Sequence, residues 1–535
     1  MMLNPRRLAI ILVFILFILP IARWAFLHCP ASFEELFKSA RDSTLLTAHC
    51  LALSTAVLSV ILGIPVALLL QLEPSRHLRR FIALTTFGPI VLGTIARNYA
   101  WSGVLNCDSW MATLGFSAIA PSSLANSWTS TALVMSINFL PWCVFILIVA
   151  LSSVTGTRVR AAFSLGASWL AIFRFLLIPV SLKGAVSAFG LIYISSLGYF
   201  ITPIYLSGGK IILPGNEIQS RLEVGDYDRI SIVGAGYLLH SMPLLCVLFF
   251  TLSRFGSELG RSSDDPSYNC SVQPPSPIRI GLLLLSSVPV YLSLLPVFYC
   301  VIWAFFGTEV VGRLHNFSLT NFYFDWLGEK IIASMLLTYF LAAIAVGLST
   351  ILLLAILFDD RVNPANRIAF FELVLFVPLL LPMPIYAISI LEIVGSRRAF
   401  QPLIEIVAMT LFATPVVYMI LGDSKSSLPA NRVRASLILG ASFWSSLTNV
   451  VLPSLRIPIM ASVLCGFFYA IDEVVVASFV WDGRPEPIAK RLLDESRNNS
   501  SPLAAVVTIA NVLFVLSVAF IVAKIYSWNF QKLED

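Results

Sequence analysis

Residues 158–179 read RVRAAFSLGASWLAIFRFLLIP, and residues 432–453 read RVRASLILGASFWSSLTNVVLP. The RVRA and LGAS runs and the closing proline coincide at a constant offset of 274 residues, which aligns Gly166 with Gly440 and Pro179 with Pro453. A repeat over that distance in a chain of 535 residues implies duplication of a whole unit rather than of a loop. Each copy is a basic, polar stretch between apolar runs. Ala161 to Leu165 and Ala435 to Leu439 suit a short helix. Gly166 and Gly440 allow a sharp turn or a close approach by another surface. Pro179 and Pro453 are expected where the chain re-enters the apolar phase.

Composition sets the phase. The chain is 58% hydrophobic and 12% charged, with a mean hydropathy of +0.87, outside the range of soluble domains of this size. Apolar runs of about 20 residues, each enough to cross about 30 Å of hydrocarbon, recur throughout. The reading is an all-α integral membrane protein with twelve transmembrane helices arranged as two parallel six-helix repeats. Spans fall at about 8–28, 46–70, 81–105, 128–152, 182–205 and 230–253, then 279–306, 332–357, 368–394, 402–422, 456–480 and 503–527. The domains are 1–253, a Ser- and Pro-rich linker at 254–278, and 279–535. The basic start followed by an apolar run is read as the first span, because no small-x-small cleavage site follows it. Loops assigned to the cytoplasm carry more Lys and Arg over a shorter total length, which places both termini there. The net charge of +6 is explained the same way, without a nucleic-acid partner.

Several chemistries find no support. The eight cysteines form no CxxC or Cys/His cluster, so no metal site or other cofactor is expected; a Cys29–Cys107 pairing outside the membrane stays open. There is no phosphate loop, since the GGK at 208–210 is followed by Ile. No catalytic set is organised, so the chain is not expected to be an enzyme.

The repeated segment also carries a resemblance. Ala, four residues, Gly, then Pro thirteen residues on is similar to the coupling loop of binding-protein-dependent ABC importer permeases. The resemblance implies that Arg160, Ala161, Ala162, Gly166, Ala167 and Pro179, with Arg434, Ala435, Ser436, Gly440, Ala441 and Pro453, seat on a cytoplasmic ABC ATPase dimer. The family's leading Glu is replaced here by Arg160 and Arg434, and its second Ala by Ser436 in the second copy. Residues 89–101, PIVLGTIARNYAW, and 197–209, LGYFITPIYLSGG, resemble the first permease subunit of spermidine/putrescine-type importers. Residues 471–483, IDEVVVASFVWDG, resemble the second. The whole is similar to the two subunits fused in one chain. That implies a permease of the bacterial inner membrane, fed by a periplasmic or lipid-anchored solute-binding protein and moving a small solute, with a polyamine or another small cation favoured. Ferric-iron, thiamine, phosphonate and opine importers share the architecture.

Charged residues inside spans are expensive and mark cavities or partners. Asp472 and Glu473 either line the outer translocation path or pair with Arg97 or cap a broken helix. They align with Gly198 and Tyr199 in the first half. Arg97 either gates the path or snorkels to the membrane surface beside Tyr99 and Trp101. The rivals are a major-facilitator carrier, whose D-R-x-G-R loop is absent from QLEPSRHLRR at 71–80, and a non-transporting scaffold, for which no soluble domain speaks.

Overall fold

The computed structural model describes residues 43–105, 124–151, 156–241, 275–306, 329–362, 383–394, 398–423, 435–498 and 504–517, apart from a few positions within them and a few isolated residues elsewhere. Every regular element among the described residues is a helix. Among the described residues, seven helices are long and apolar enough to cross a membrane, or eight if one sharply bent pair is a single span. The expected first span at 8–28 lies almost wholly outside the described residues, as does the linker at 254–274, and the spans at 230–253, 368–394 and 503–527 are described only in part.

In the first half, α1 (Ser43–Leu72), α4 (Trp128–Leu151) and α6 (Ile178–Leu197) pack against one another. In the second half, α10 (Glu329–Val362), α12 (Gln401–Asp423) and α13 (Leu452–Ile471) do the same. In lipid such contacts rest on close fit and short polar bridges rather than on expulsion of water. Ser59 Oγ donates to the Thr55 carbonyl at 2.8 Å and lies 3.1 Å from the Ser136 carbonyl across α1 and α4. Across α10 and α12, Thr414 Oγ1 donates to Ser349 Oγ at 3.1 Å.

The 274-residue offset recurs in the elements themselves. Helix α6 and α13 are 20 residues each; α7 (Ile201–Leu206) and α14 (Val475–Val480) are six each; α8 (Pro214–Val224) and α15 (Ile488–Asn498) are 11 each. All three pairs start 274 residues apart. A π-helical turn at Phe173–Leu177 precedes Pro179, and another at Leu447–Val451 precedes Pro453. The two prolines, expected where the chain re-enters the apolar phase, occupy equivalent places at the starts of α6 and α13. Each sits inside one continuous helical run, and the wide turn before it accommodates the missing N–H and the ring.

Two further expectations change. The span expected at 81–105 is two helical runs, Arg76–Leu92 (α2, Arg76–Phe87, plus a 3₁₀ turn) and α3 (Thr94–Leu105), which bend by 102° at Gly93. The spans expected at 182–205 and 456–480 begin earlier and are each interrupted near their far end, before α7 and α14.

The halves interlock. Helix α9 (Ser276–Phe306), the first of the second half, packs on α1, α2, α3 and α4 of the first. Helix α3 also meets α15, and α8 meets α11 (Met383–Val394), so corresponding elements cross over in both directions. One core cluster accordingly mixes Ile95, Phe200 and Ile201 with Tyr386, Val474 and Leu492.

Glu73 anchors α9. Its carboxylate is fully buried and accepts from Arg279 Nε at 3.0 Å, Arg279 Nη2 at 2.8 Å and the Ser75 N–H at 3.0 Å. Arg279 is 39% exposed, so solvent screens part of the pair. Truncating it still leaves a buried carboxylate without its cation. Arg279→Ala should lower the denaturant midpoint of the detergent-solubilised protein, and adding Glu73→Gln should recover part of the loss.

Candidate functional site

Helix breaks expose backbone N–H groups that have no partner along the chain, and in a membrane each must be met by protein. Three breaks converge here: Gly93 before α3, Gly198 to Phe200 before α7, and Asp472 to Val474 before α14. The capping of α3 comes from the other half. Asp472 Oδ1 accepts from the Thr94 N–H at 2.6 Å, and Oδ2 accepts from the Thr94 hydroxyl. A carboxylate at a helix N-terminus meets both the free donors and the positive end of the helix dipole. Gly93 has φ +76 and ψ 158, a conformation reserved for glycine, and a Cβ there would stand 3.1 Å from Asp472 Oδ1.

Glu473 takes a different role from its neighbour. It is fully buried and caps α14 within its own half, accepting from the Val476 N–H at 2.7 Å and the Ala477 N–H at 3.2 Å. It does not line the cavity described next. Beside it sits Glu405 of α12, also fully buried, the two carboxyl groups facing each other.

Between the halves lies a cavity of about 120 Å³. Its wall includes Arg97, Asn138, Trp142 and Tyr199 from the first half and Tyr469 and Asp472 from the second. The aromatic walls are braced edge to face: Trp142 meets Tyr469 with centroids 5.6 Å apart, and Phe139 meets Tyr199 at 5.5 Å. Arg97 is 7% exposed and does not snorkel. Its Nε donates to the Gly93 carbonyl at 3.3 Å, Nη1 to the Asn138 carbonyl at 3.4 Å and Nη2 to Thr94 Oγ1 at 3.3 Å. Thr94 thus stands between the guanidinium and the Asp472 carboxylate. Behind them, Asn98 Oδ1 accepts from Asn138 Nδ2 at 3.1 Å and from Thr202 Oγ1 at 2.9 Å, tying α3 to α4 and α7.

The repeated basic segments form a second paired feature. Helix α5 (Gly156–Ser164) ends in a left-handed glycine turn, with Gly166 at φ +83, the Gly166 N–H on the Phe163 carbonyl at 2.9 Å and the Ala167 N–H on the Ala162 carbonyl at 3.0 Å. Gly440 has φ +84, and the Ala441 N–H reaches the Ser436 carbonyl at 3.0 Å. Next, Ser168 Oγ accepts from the Ala171 N–H at 3.3 Å, and Ser442 Oγ accepts from the Ser445 N–H at 3.2 Å. The turns place Leu165 at 88% exposure and Leu439 at 86%. Arg160 and Ala161 are exposed on α5, and Ala162 and Ala167 are half-buried. Ala435 is exposed, Ser436 and Ala441 are half-buried, and Arg434 lies outside the described residues.

Sequence reading missed Thr94, Asn138, Trp142 and Glu405. Thr and Asn in an apolar run look like ordinary span residues, since their role depends on what faces them. Glu405 carried a usable signal, an acid inside an apolar segment. Two substitutions probe the break directly. Gly93→Ala should cost about 1–3 kcal/mol of stability. Thr94→Val, which keeps the backbone donor but removes the bridging hydroxyl, should cost about 1 kcal/mol. Thermal unfolding of the purified variants checks both.

Comparison with known proteins bears on these two features. Residues 351–534 match the family described as "Binding-protein-dependent transport system inner membrane component". Over 205 residues the chain is 24% identical to "Inner membrane ABC transporter permease protein YdcU" of Escherichia coli (strain K12), covering 36% of this chain and 65% of that one. Over 230 residues it is 26% identical to "Spermidine/putrescine transport system permease protein PotC" of Haemophilus influenzae (strain ATCC 51907 / DSM 11121 / KW20 / Rd), covering 42% of this chain and 82% of that one. The match to the first relative thus falls just short of two thirds of its length. Residues 351–534 are thus similar to inner membrane components of binding-protein-dependent transport systems, and both relatives carry the name of permease proteins.

Proposed function

We propose that this chain is the membrane-embedded permease of an ATP-driven importer, with two six-span permease units fused head to tail. The observation that carries the reading is the pair of glycine turns at Gly166 and Gly440, which present Leu165 and Leu439 to solvent in the same geometry 274 residues apart. Apolar side chains exposed to that degree on basic, acid-free segments, with Ile438 exposed beside Leu439 and Leu170 near Leu165, suit insertion into the grooves of a separate protein. The partner is a cytoplasmic ABC ATPase dimer, one groove for each turn. Arg160 is exposed on the segment that carries Leu165, and Arg434 is its counterpart in the second copy by sequence, so the groove is expected to offer acidic or carbonyl acceptors.

The chain is a multi-pass protein of the inner membrane with both termini cytoplasmic, and it hydrolyses nothing itself. A solute-binding protein delivers cargo at the opposite face. The cavity between the halves lies on the path, with Arg97, Tyr199 and Asp472 in its wall. A polyamine-like or other small cationic cargo agrees with the spermidine and putrescine in the name of PotC, with Asp472 and with the aromatic walls.

Co-expression with an ABC ATPase subunit and co-purification test the reading. The wild-type chain should retain the ATPase. Leu165→Asp with Leu439→Asp should reduce retention at least about tenfold, because each charge would be buried without a partner, and bulky residues at Gly166 and Gly440 should act likewise. An unchanged yield of ATPase with the double variant would overturn the docking surface.

A further inference from the structure

The cavity wall contains one cation and one anion, and the way they are held differs sharply. Both Asp472 oxygens are engaged by a single residue, Thr94, through one backbone and one hydroxyl donor. The Arg97 guanidinium makes no such short contacts. Its three bonds run to two carbonyls and a hydroxyl at 3.3–3.4 Å, at or beyond the long end of the usual N–H···O range. Enclosed charge held by weak neutral acceptors depends on a nearby opposite charge. Arg97 and Asp472 are the only charged residues among the described ones lining the cavity, and Thr94 Oγ1 joins them, accepting from Arg97 while donating to Asp472.

We propose that Arg97 is a built-in counter-cation for Asp472, which an incoming ammonium group replaces. The proposal rests on the reading of this cavity as part of a path for a small cation. With no cargo present, the guanidinium neutralises the Asp472 side of the cavity. An entering ammonium finds the same carboxylate in a wall that includes the Trp142 and Tyr469 rings, and it repels Arg97. Arg97 is one turn into α3, beside the Gly93 bend, and only three weak bonds retain its side chain. Displacement therefore needs rotamer change and no covalent step. A neutral solute or an inorganic anion gains nothing by expelling the guanidinium, so Arg97 sets charge selectivity as well as affinity.

The test measures equilibrium binding of radiolabelled putrescine to the purified chain with its ATPase, in nanodiscs, without nucleotide or binding protein. Arg97→Gln should bind putrescine about tenfold or more tighter than wild type, because a like charge has been removed from the cavity. Arg97→Lys, which keeps the charge, should bind like wild type. Asp472→Asn should abolish binding in both the wild-type and Arg97→Gln backgrounds. Binding that depends on Asp472 but is unchanged or weakened in Arg97→Gln overturns the counter-cation role alone. So does an Arg97→Lys variant that behaves like Arg97→Gln. Absence of putrescine binding in every variant, or binding indifferent to Asp472, overturns the cationic-cargo reading and this inference with it. Capture of a carboxylate-bearing solute that Arg97→Gln loses would identify Arg97 as an anion site instead.

Discussion

A helix interrupted in the middle of a membrane protein leaves backbone donors that lipid cannot satisfy, and at the start of α3 that requirement is met from the other half of the molecule. Asp472 closes on Thr94 at the point where Gly93 turns the chain through 102°. The contact fixes more than one helix end. It joins the break before α3 to the break before α14, sets the register between the halves and places a carboxylate in the wall of the cavity they enclose. Gly93 is part of the same unit, since any side chain there would meet Asp472 and strain the backbone.

Duplication and divergence can be separated on this frame. From Gly166 through α8, and from Gly440 through α15, the two halves repeat turn, π bulge, long helix, break and amphipathic helix in step. At the break itself they part. The first half has Gly198 and Tyr199 where the second has Asp472 and Glu473. Glu473 supplies α14 with a carboxylate cap that Tyr199 does not supply to α7. One chain carrying both units can hold such differences, whereas a symmetric pair of identical subunits would place the same residue on both sides of the cavity.

Much of the architecture was legible because it is written in composition and spacing. Apolar runs give the long helices, and the 274-residue register gives the paired glycine turns. What escaped depends on direction rather than composition. Residues 81–105 average as one apolar span, and hydropathy does not register that Gly93 reverses the path within it. Helix α9 belongs to the second half by sequence and packs on the first, a choice made by Glu73 and Arg279 across 206 positions. Thr94 and Asn138 gain their roles only from residues brought to them by the fold.

A continuous helical run connects each glycine turn to the cavity. From Trp169 to Leu197 the first half runs as one helical rod of 29 residues, about 44 Å at 1.5 Å per residue. Its near end is capped by Ser168 directly after the Gly166 turn, and its far end stops at Gly198 in the cavity wall. The second half repeats this from Phe443 to Ile471, ending at Asp472. A packed helix resists compression and bends at its weak points, and here the weak point is the π turn near the proline, close to the glycine turn. Beyond that turn α6 and α13 are held on both sides by their three-helix packing and move as units. Under the proposed docking of an ATPase on Leu165 and Leu439, these two helices are the elements that connect the docking surface to Gly198 and Asp472, and through the Asp472 cap to α3.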